Sequence, residues 1–145
     1  MTKKEWLFLF ALLCISILLG GNGFPQESTP ASPASGSEKP TLGQATMCAS
    51  LKEGSPCDPG AVFPVNQGKV FCFSSFDPVP RKTFIFHSWF HRDVLISRQK
   101  LTLNTPRWST YSTIQLRESD KGPWRVEIAD QDARLLEVLR FSITD

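Results

Sequence analysis

No stretch of this 145-residue chain is strongly basic or strongly acidic. Its 16 Lys and Arg are scattered among 14 Asp and Glu, and only about one net positive charge is left once Lys3, Lys4 and Glu5 are set aside. The absence of a basic stripe excludes nucleic acid as a partner, and the absence of single-sign runs gives no support to membrane-surface electrostatics. Missing too are a Cys-x-x-Cys pair, a G-x-S-x-G elbow, a glycine-rich phosphate loop and any internal repeat. Those gaps argue against a zinc ribbon, a thioredoxin-like redox centre, an α/β-hydrolase and a nucleotide-binding enzyme. His91-Arg92-Asp93 copies three letters of the kinase catalytic loop, but the position that should hold its Asn is Arg98, and the chain is too short for a kinase.

The N-terminus is an address. Lys3 and Lys4 precede an apolar run from Trp6 to Leu19, then the small residues Gly20-Gly21-Asn22-Gly23, which is the order of a secretory signal peptide. The run is about 14 residues, or about 21 Å as a helix, against about 30 Å of bilayer hydrocarbon. Cleavage after Gly23 is expected, with retention as an inner-membrane anchor the alternative. Residues 24–44 are rich in Pro, Ser, Thr and Ala with little to bury, and read as a disordered linker. Residues 45–145 then form one domain. The expected location is the periplasm or the outside of the cell.

Export places cysteines where disulfides persist. Beyond the signal stand Cys48, Cys57 and Cys72. Cys48 and Cys72 fall in neighbouring strand candidates, and a disulfide between them closes a loop of about 24 residues, adding roughly 3 kcal/mol. Cys57, in a Pro/Gly turn, is then left free; Cys48 with Cys57 is the competing pair.

From Ala45 onward the chain is a series of short apolar and aromatic segments separated by turn residues. Strands are expected at 45–51, 61–65, 69–76, 83–90, 94–103, 107–116, 123–129 and 134–143, with 54–60 a turn. The fold is therefore an all-β, antiparallel β-sandwich, immunoglobulin-like, of seven or eight strands. Alternation sorts faces: Trp124, Val126 and Ile128 oppose Arg125 and Glu127, which marks Trp124 as a core anchor. In 84–91 both faces are apolar, the mark of a strand covered on both sides.

Four aromatic landmarks carry a resemblance: His87-Ser-Trp89-Phe90, Arg107-Trp108 with Ser109 and Ser112, Gly122-x-Trp124-x-Val126, and the last strand with Phe141. In that order they resemble the bacterial family of the domain of unknown function DUF2914, over roughly Ala45 to the C-terminus. The resemblance implies a small envelope domain, often membrane-tethered, with no assigned activity and no catalytic residues.

Candidate chemistry is thin. His87 and His91 suggest a metal pair on a helix, but on a strand they lie about 13 Å apart; His87 reads better as a buried histidine bonded to a backbone or hydroxyl group. Asp77, Asp93, Glu118, Asp120, Asp130 and Asp132 fall in turns and lack both the pairing of a glycosidase and the density of an EF-hand. No metal and no cofactor is expected. Arg107, Trp108 and Tyr111 are of the types that dominate binding hot spots, and with His87 and Trp89 on the neighbouring segment they form the expected contact surface. The functional expectation is an exported, non-catalytic envelope domain binding a protein or glycan. Membrane contact is expected only through an uncleaved N-terminal segment. A small periplasmic hydrolase with an unfamiliar site is the alternative.

Overall fold

The computed structural model describes residues 39–145; the expected signal peptide and most of the expected linker lie outside the described residues. Nine strands form two packed sheets: β1 (Leu42–Lys52), β2 (Ser55–Pro59), β3 (Val62–Pro64), β4 (Lys69–Phe76), β5 (Thr83–His91), β6 (Val94–Leu103), β7 (Trp108–Gln115), β8 (Gly122–Asp130) and β9 (Leu135–Thr144). One sheet runs β2-β1-β4-β7 and the other β3-β9-β8-β5-β6. Among the described residues there are two 3-10 turns and no α-helix. With β4 in the place of strand B, β5 of C and β8 of F, the two sheets follow an immunoglobulin-like order, β7 taking the place of E and β9 of G.

Three details differ from the sequence expectation. Residues Ser55–Pro59, read as a turn, form β2: with Pro56 and Pro59 it can only be an edge strand, and it pairs β1 alone. The turn itself is Glu53-Gly54, both with positive φ (50° and 76°). The sandwich is also not wholly antiparallel, because the short β3 lies parallel to β9 at the edge of the second sheet. Finally, β1 begins at Leu42 rather than Ala45. Leu42 pairs with Phe76, and Thr41 exchanges backbone bonds with Pro78 O and the Asp77 N–H, which order a stretch whose composition reads as linker.

The expected Cys48–Cys72 disulfide is overturned. In the β1–β4 register it is Met47 that faces Cys72. Directly opposed residues share a face and successive residues alternate, so Cys72 enters the core while Cys48 points out of the other side of the sheet. All three cysteines among the described residues are free thiols. Cys48 and Cys57 do share the outer face, but Cys48 pairs with Pro59 and Cys57 with Ser50, which leaves them diagonal. Burial pushes the Cys72 thiol far above the usual range and raises that of Cys48.

The core lies between the sheets. Met47, Val70, Cys72 and Phe76 come from the first sheet, Ile85, Trp89, Trp124, Val126, Ile128, Phe141 and Ile143 from the second. Trp89 is wholly buried on β5, where immunoglobulin domains carry their core tryptophan. Phe141 packs edge-on to Trp89 and stacks on Trp124, with ring centroids 6.0 Å apart in both cases. The outward face of β5 is covered as well, by cations from its neighbours. Arg98 stacks on Phe86, Lys100 on Phe84 and Arg125 on Phe90, at 4.0, 3.8 and 4.0 Å. That is why both faces of this segment are apolar.

Candidate functional site

The five expected contact residues separate into two groups. His87 and Trp89 have no exposed surface. Both point inward from β5, as their alternation with the outward Phe86, Ser88 and Phe90 requires. As members of the expected contact surface both are corrected to the core, and His87 is instead the buried, hydroxyl-bonded histidine that the sequence also pointed to. His87 Nε2 lies 3.0 Å from Ser74 Oγ, its Nδ1 lies 2.8 Å from Ser112 Oγ, and the Trp89 indole N–H donates to the same Ser112 oxygen at 3.0 Å. Ser74 and Ser112 belong to β4 and β7 of the opposite sheet, so the network bolts the sandwich together across its core. Burial lowers the His87 pKa to about 4, so the imidazole is neutral and offers one donor and one acceptor to the two hydroxyls.

This histidine resembles a catalytic base in composition only. No carboxylate orients it, the serines are buried, and each ring nitrogen is occupied by a structural bond. His91 is equally committed: its ring stacks on Trp124 at 4.5 Å, and its Nε2 lies 3.1 Å from Lys121 O. Among the described residues no cluster of three or more His, Cys, Asp or Glu is arranged to hold a metal ion.

Arg107, Trp108 and Tyr111 are at the surface. Trp108 opens β7, opposite Phe76 at the end of β4, so its indole sits where the inner face of the sheet runs out and remains 40% exposed. Arg107 precedes it, with Nε 3.8 Å from Asp77 Oδ2 and both side chains well exposed. Ser75, Phe76, Asp77, Arg107, Trp108 and Ser109 line an open groove of about 350 Å³. The loops on either side are tied by the Val79 N–H donating to Pro106 O at 2.6 Å, and each contains a cis proline, Asp77–Pro78 and Thr105–Pro106. Tyr111 is half exposed but lies on the outer face of the first sheet, edge-on to Phe71 at 5.9 Å, and does not line the groove.

The sequence pointed to Arg107 and Trp108 by residue type, but not to Asp77, Ser75 and Phe76. These reach the groove only because β4 and β7 are neighbours that end together, and nothing short of strand order reveals that. The groove offers a partly exposed indole, an ion pair and two hydroxyls. An indole can stack on a ring, and hydroxyls and an ion pair can hydrogen-bond to its polar rim. It contains one carboxylate and no histidine.

Residues 82–143 match the family described as protein of unknown function (DUF2914). The matched stretch begins one residue before β5 and closes one residue short of the end of β9. It is thus narrower than the sequence resemblance implied, since β1 to β4 fall outside it. The matched segment supplies Arg107 and Trp108 to the groove, while Ser75, Phe76 and Asp77 come from the part of the chain before it. No curated protein matches the chain.

Proposed function

We propose that residues 39–145 are the non-catalytic binding module of an exported envelope protein, and that the groove beside Trp108 holds a glycan. The observation that carries this reading is the exposed Trp108 indole flanked by the Arg107–Asp77 pair and the hydroxyls of Ser75 and Ser109. Sugar rings present one apolar face and a rim of hydroxyls. An aromatic plane takes the first, and charged or hydroxylic side chains take the second through charge-assisted and neutral hydrogen bonds. A protein partner would use the same surface, since Arg and Trp are the anchors of protein interfaces. For the hydrolase alternative the groove supplies only Asp77, whereas two-carboxylate sugar hydrolysis requires a second acid across the cleft.

The test is calorimetric titration of the chain with neutral and acidic oligosaccharides from bacterial envelopes, repeated on Trp108→Ala and Arg107→Ala. Saturable heat lost in both variants supports the reading. Binding that survives both substitutions overturns the site, and capture of an envelope protein without any sugar response moves the ligand to the protein class. Turnover of a bound sugar abolished by Asp77→Asn would make the domain an enzyme.

A further inference from the structure

The β5–β6 hairpin carries a second surface, independent of the groove and at the opposite end of the sandwich. The groove lies where β4 ends and β7 begins, beside the start of β5; the hairpin tip lies at the other end of β5. The nine residues of β5 span about 27 Å.

The hairpin turns through Arg92-Asp93, both in the left-handed region (φ 47° and 65°), as a tight two-residue connection requires. Immediately after it the register shifts: Phe90 pairs with Leu95 and Trp89 with Ser97, which leaves Ile96 as a bulge on an edge strand. The shift breaks alternation, so three successive aliphatic side chains, Val94, Leu95 and Ile96, face solvent at 62%, 51% and 54% exposure. Edge strands are ordinarily blunted with charge rather than loaded with aliphatics, so this tip stands out as an apolar patch in need of a partner.

Cations gather behind it. Arg98 and Lys100 follow on the outer face of β6, while Arg125 on β8 and Arg140 on β9 stand directly opposite each other. Arg125 is tied to Asp93 and Glu127, but among the described residues no carboxylate forms an ion pair with Arg98, Lys100 or Arg140. Arg92, Arg125 and Arg140, with Asp93 among them, also line a small cleft of about 70 Å³ beside the turn. The sequence conceals this band, because its members are spread from position 92 to position 140 and only strand pairing assembles them.

We propose that the β5–β6 hairpin docks the domain on an anionic phospholipid bilayer. Val94, Leu95 and Ile96 enter the boundary between headgroups and acyl chains, and the cations behind them meet the lipid phosphates. The dimensions agree: a surface-bound apolar face sits about 5–10 Å deep, and Arg98 follows Leu95 by about 10 Å of strand, at headgroup level. The chemistry separates this partner from two others. A soluble polyanion would use the cations but leave the aliphatic tip without a role. A second copy pairing edge to edge would use the tip but bring like-charged faces together.

Hydrogen exchange of the full chain, followed on peptides covering 92–100, tests this locally and is not confused by the apolar N-terminus. Phosphatidylglycerol vesicles should slow exchange there and phosphatidylcholine vesicles should not, with the effect weakening as salt is raised. Leu95→Ser with Ile96→Ser should abolish the protection while exchange in β8 and β9 stays as in the parent chain, which shows the fold intact. Arg98→Gln with Lys100→Gln should lower vesicle affinity about thirtyfold, from about fivefold for each cation removed. The proposal is overturned by no protection with either vesicle, by equal protection with both, or by protection that survives the serine substitutions. It is also overturned if dextran sulfate alone reproduces the protection, or if the protection appears without lipid and grows with protein concentration, the outcomes expected of a polyanion site and of a second copy.

Discussion

His87 on β5 and Ser112 on β7 meet 2.8 Å apart in the middle of the sandwich, and the Trp89 indole N–H converges on the same hydroxyl. Two strands from different sheets are thereby fixed in register by polar atoms inside an otherwise apolar core. An apolar core tolerates sliding of one sheet over the other better than a core containing directional bonds, because each bond is lost at full desolvation cost when the partners part. Serine suits this arrangement, because its small side chain carries a hydroxyl that can either donate to or accept from an imidazole nitrogen.

Ser112→Ala is therefore expected to be costly for a substitution of one atom. It leaves the Trp89 N–H and one His87 nitrogen buried without a partner, at about 1–3 kcal/mol for each such group. Ser74→Ala strips a partner from the other ring nitrogen alone and should cost less. Urea unfolding should show the midpoint of Ser112→Ala falling further than that of Ser74→Ala, with unchanged slopes. Equal, negligible effects would show the network to be dispensable.

The same histidine sets a pH dependence. In the unfolded chain it takes up a proton near its ordinary pKa of 6.5; in the folded core burial lowers the pKa to about 4. Between those values the unfolded state binds more protons, so stability rises with pH through that window. The contribution is complete above pH 6.5, declines as pH falls, and is lost below about 4; its full size is roughly 3 kcal/mol. Unfolding curves from pH 4 to 8 should show the decline in the parent chain and a smaller one in His87→Gln. An identical slope in both would assign the effect to other groups.

The strands were legible because alternation writes burial into the sequence: Trp124, Val126 and Ile128 on one side, Arg125 and Glu127 on the other, as found. What could not be read was anything that depends on register. Cys48 and Cys72 looked like partners because their strands are neighbours, yet a one-residue offset puts them on opposite faces of the sheet. Trp89 reads as part of the contact surface because its segment is expected beside that of Arg107 to Tyr111. Its place in the core is a matter of which face of β5 meets the opposite sheet. β2 was missed because two prolines normally end a strand, and an edge strand is where they are allowed. The groove was half legible, through Arg107 and Trp108, and the β4 end that completes it was not.

Thiol chemistry offers an independent check on that register. Cys57 is partly exposed, while Cys48 and Cys72 are buried and burial raises both thiols. Iodoacetamide added to the folded chain should alkylate Cys57 first, and Cys48 and Cys72 at rates set by unfolding, as read by peptide mass spectrometry. A Cys48–Cys72 cross-linked peptide from the folded, air-oxidised protein would contradict the β1–β4 pairing.

The division between surface and core makes the last prediction. Arg107 is largely exposed, and its pair with Asp77 is a surface ion pair at 3.8 Å, worth at most about 1 kcal/mol. Tyr111 is half exposed and touches Phe71 at its edge, so its removal costs little of the packed interior. Arg107→Ala and Tyr111→Ala should each lie within about 1 kcal/mol of the parent chain in urea unfolding. Trp89→Ala removes a fully buried indole packed on Phe141 and takes one of two partners from the Ser112 hydroxyl, and should cost about 3–5 kcal/mol or prevent folding. If Arg107→Ala proves as damaging as Trp89→Ala, Arg107 belongs to the scaffold and the groove is not available to a ligand. If it is silent for stability and removes binding, the two roles are separated on one strand-end, with the frame held by β5 and the ligand met by β7.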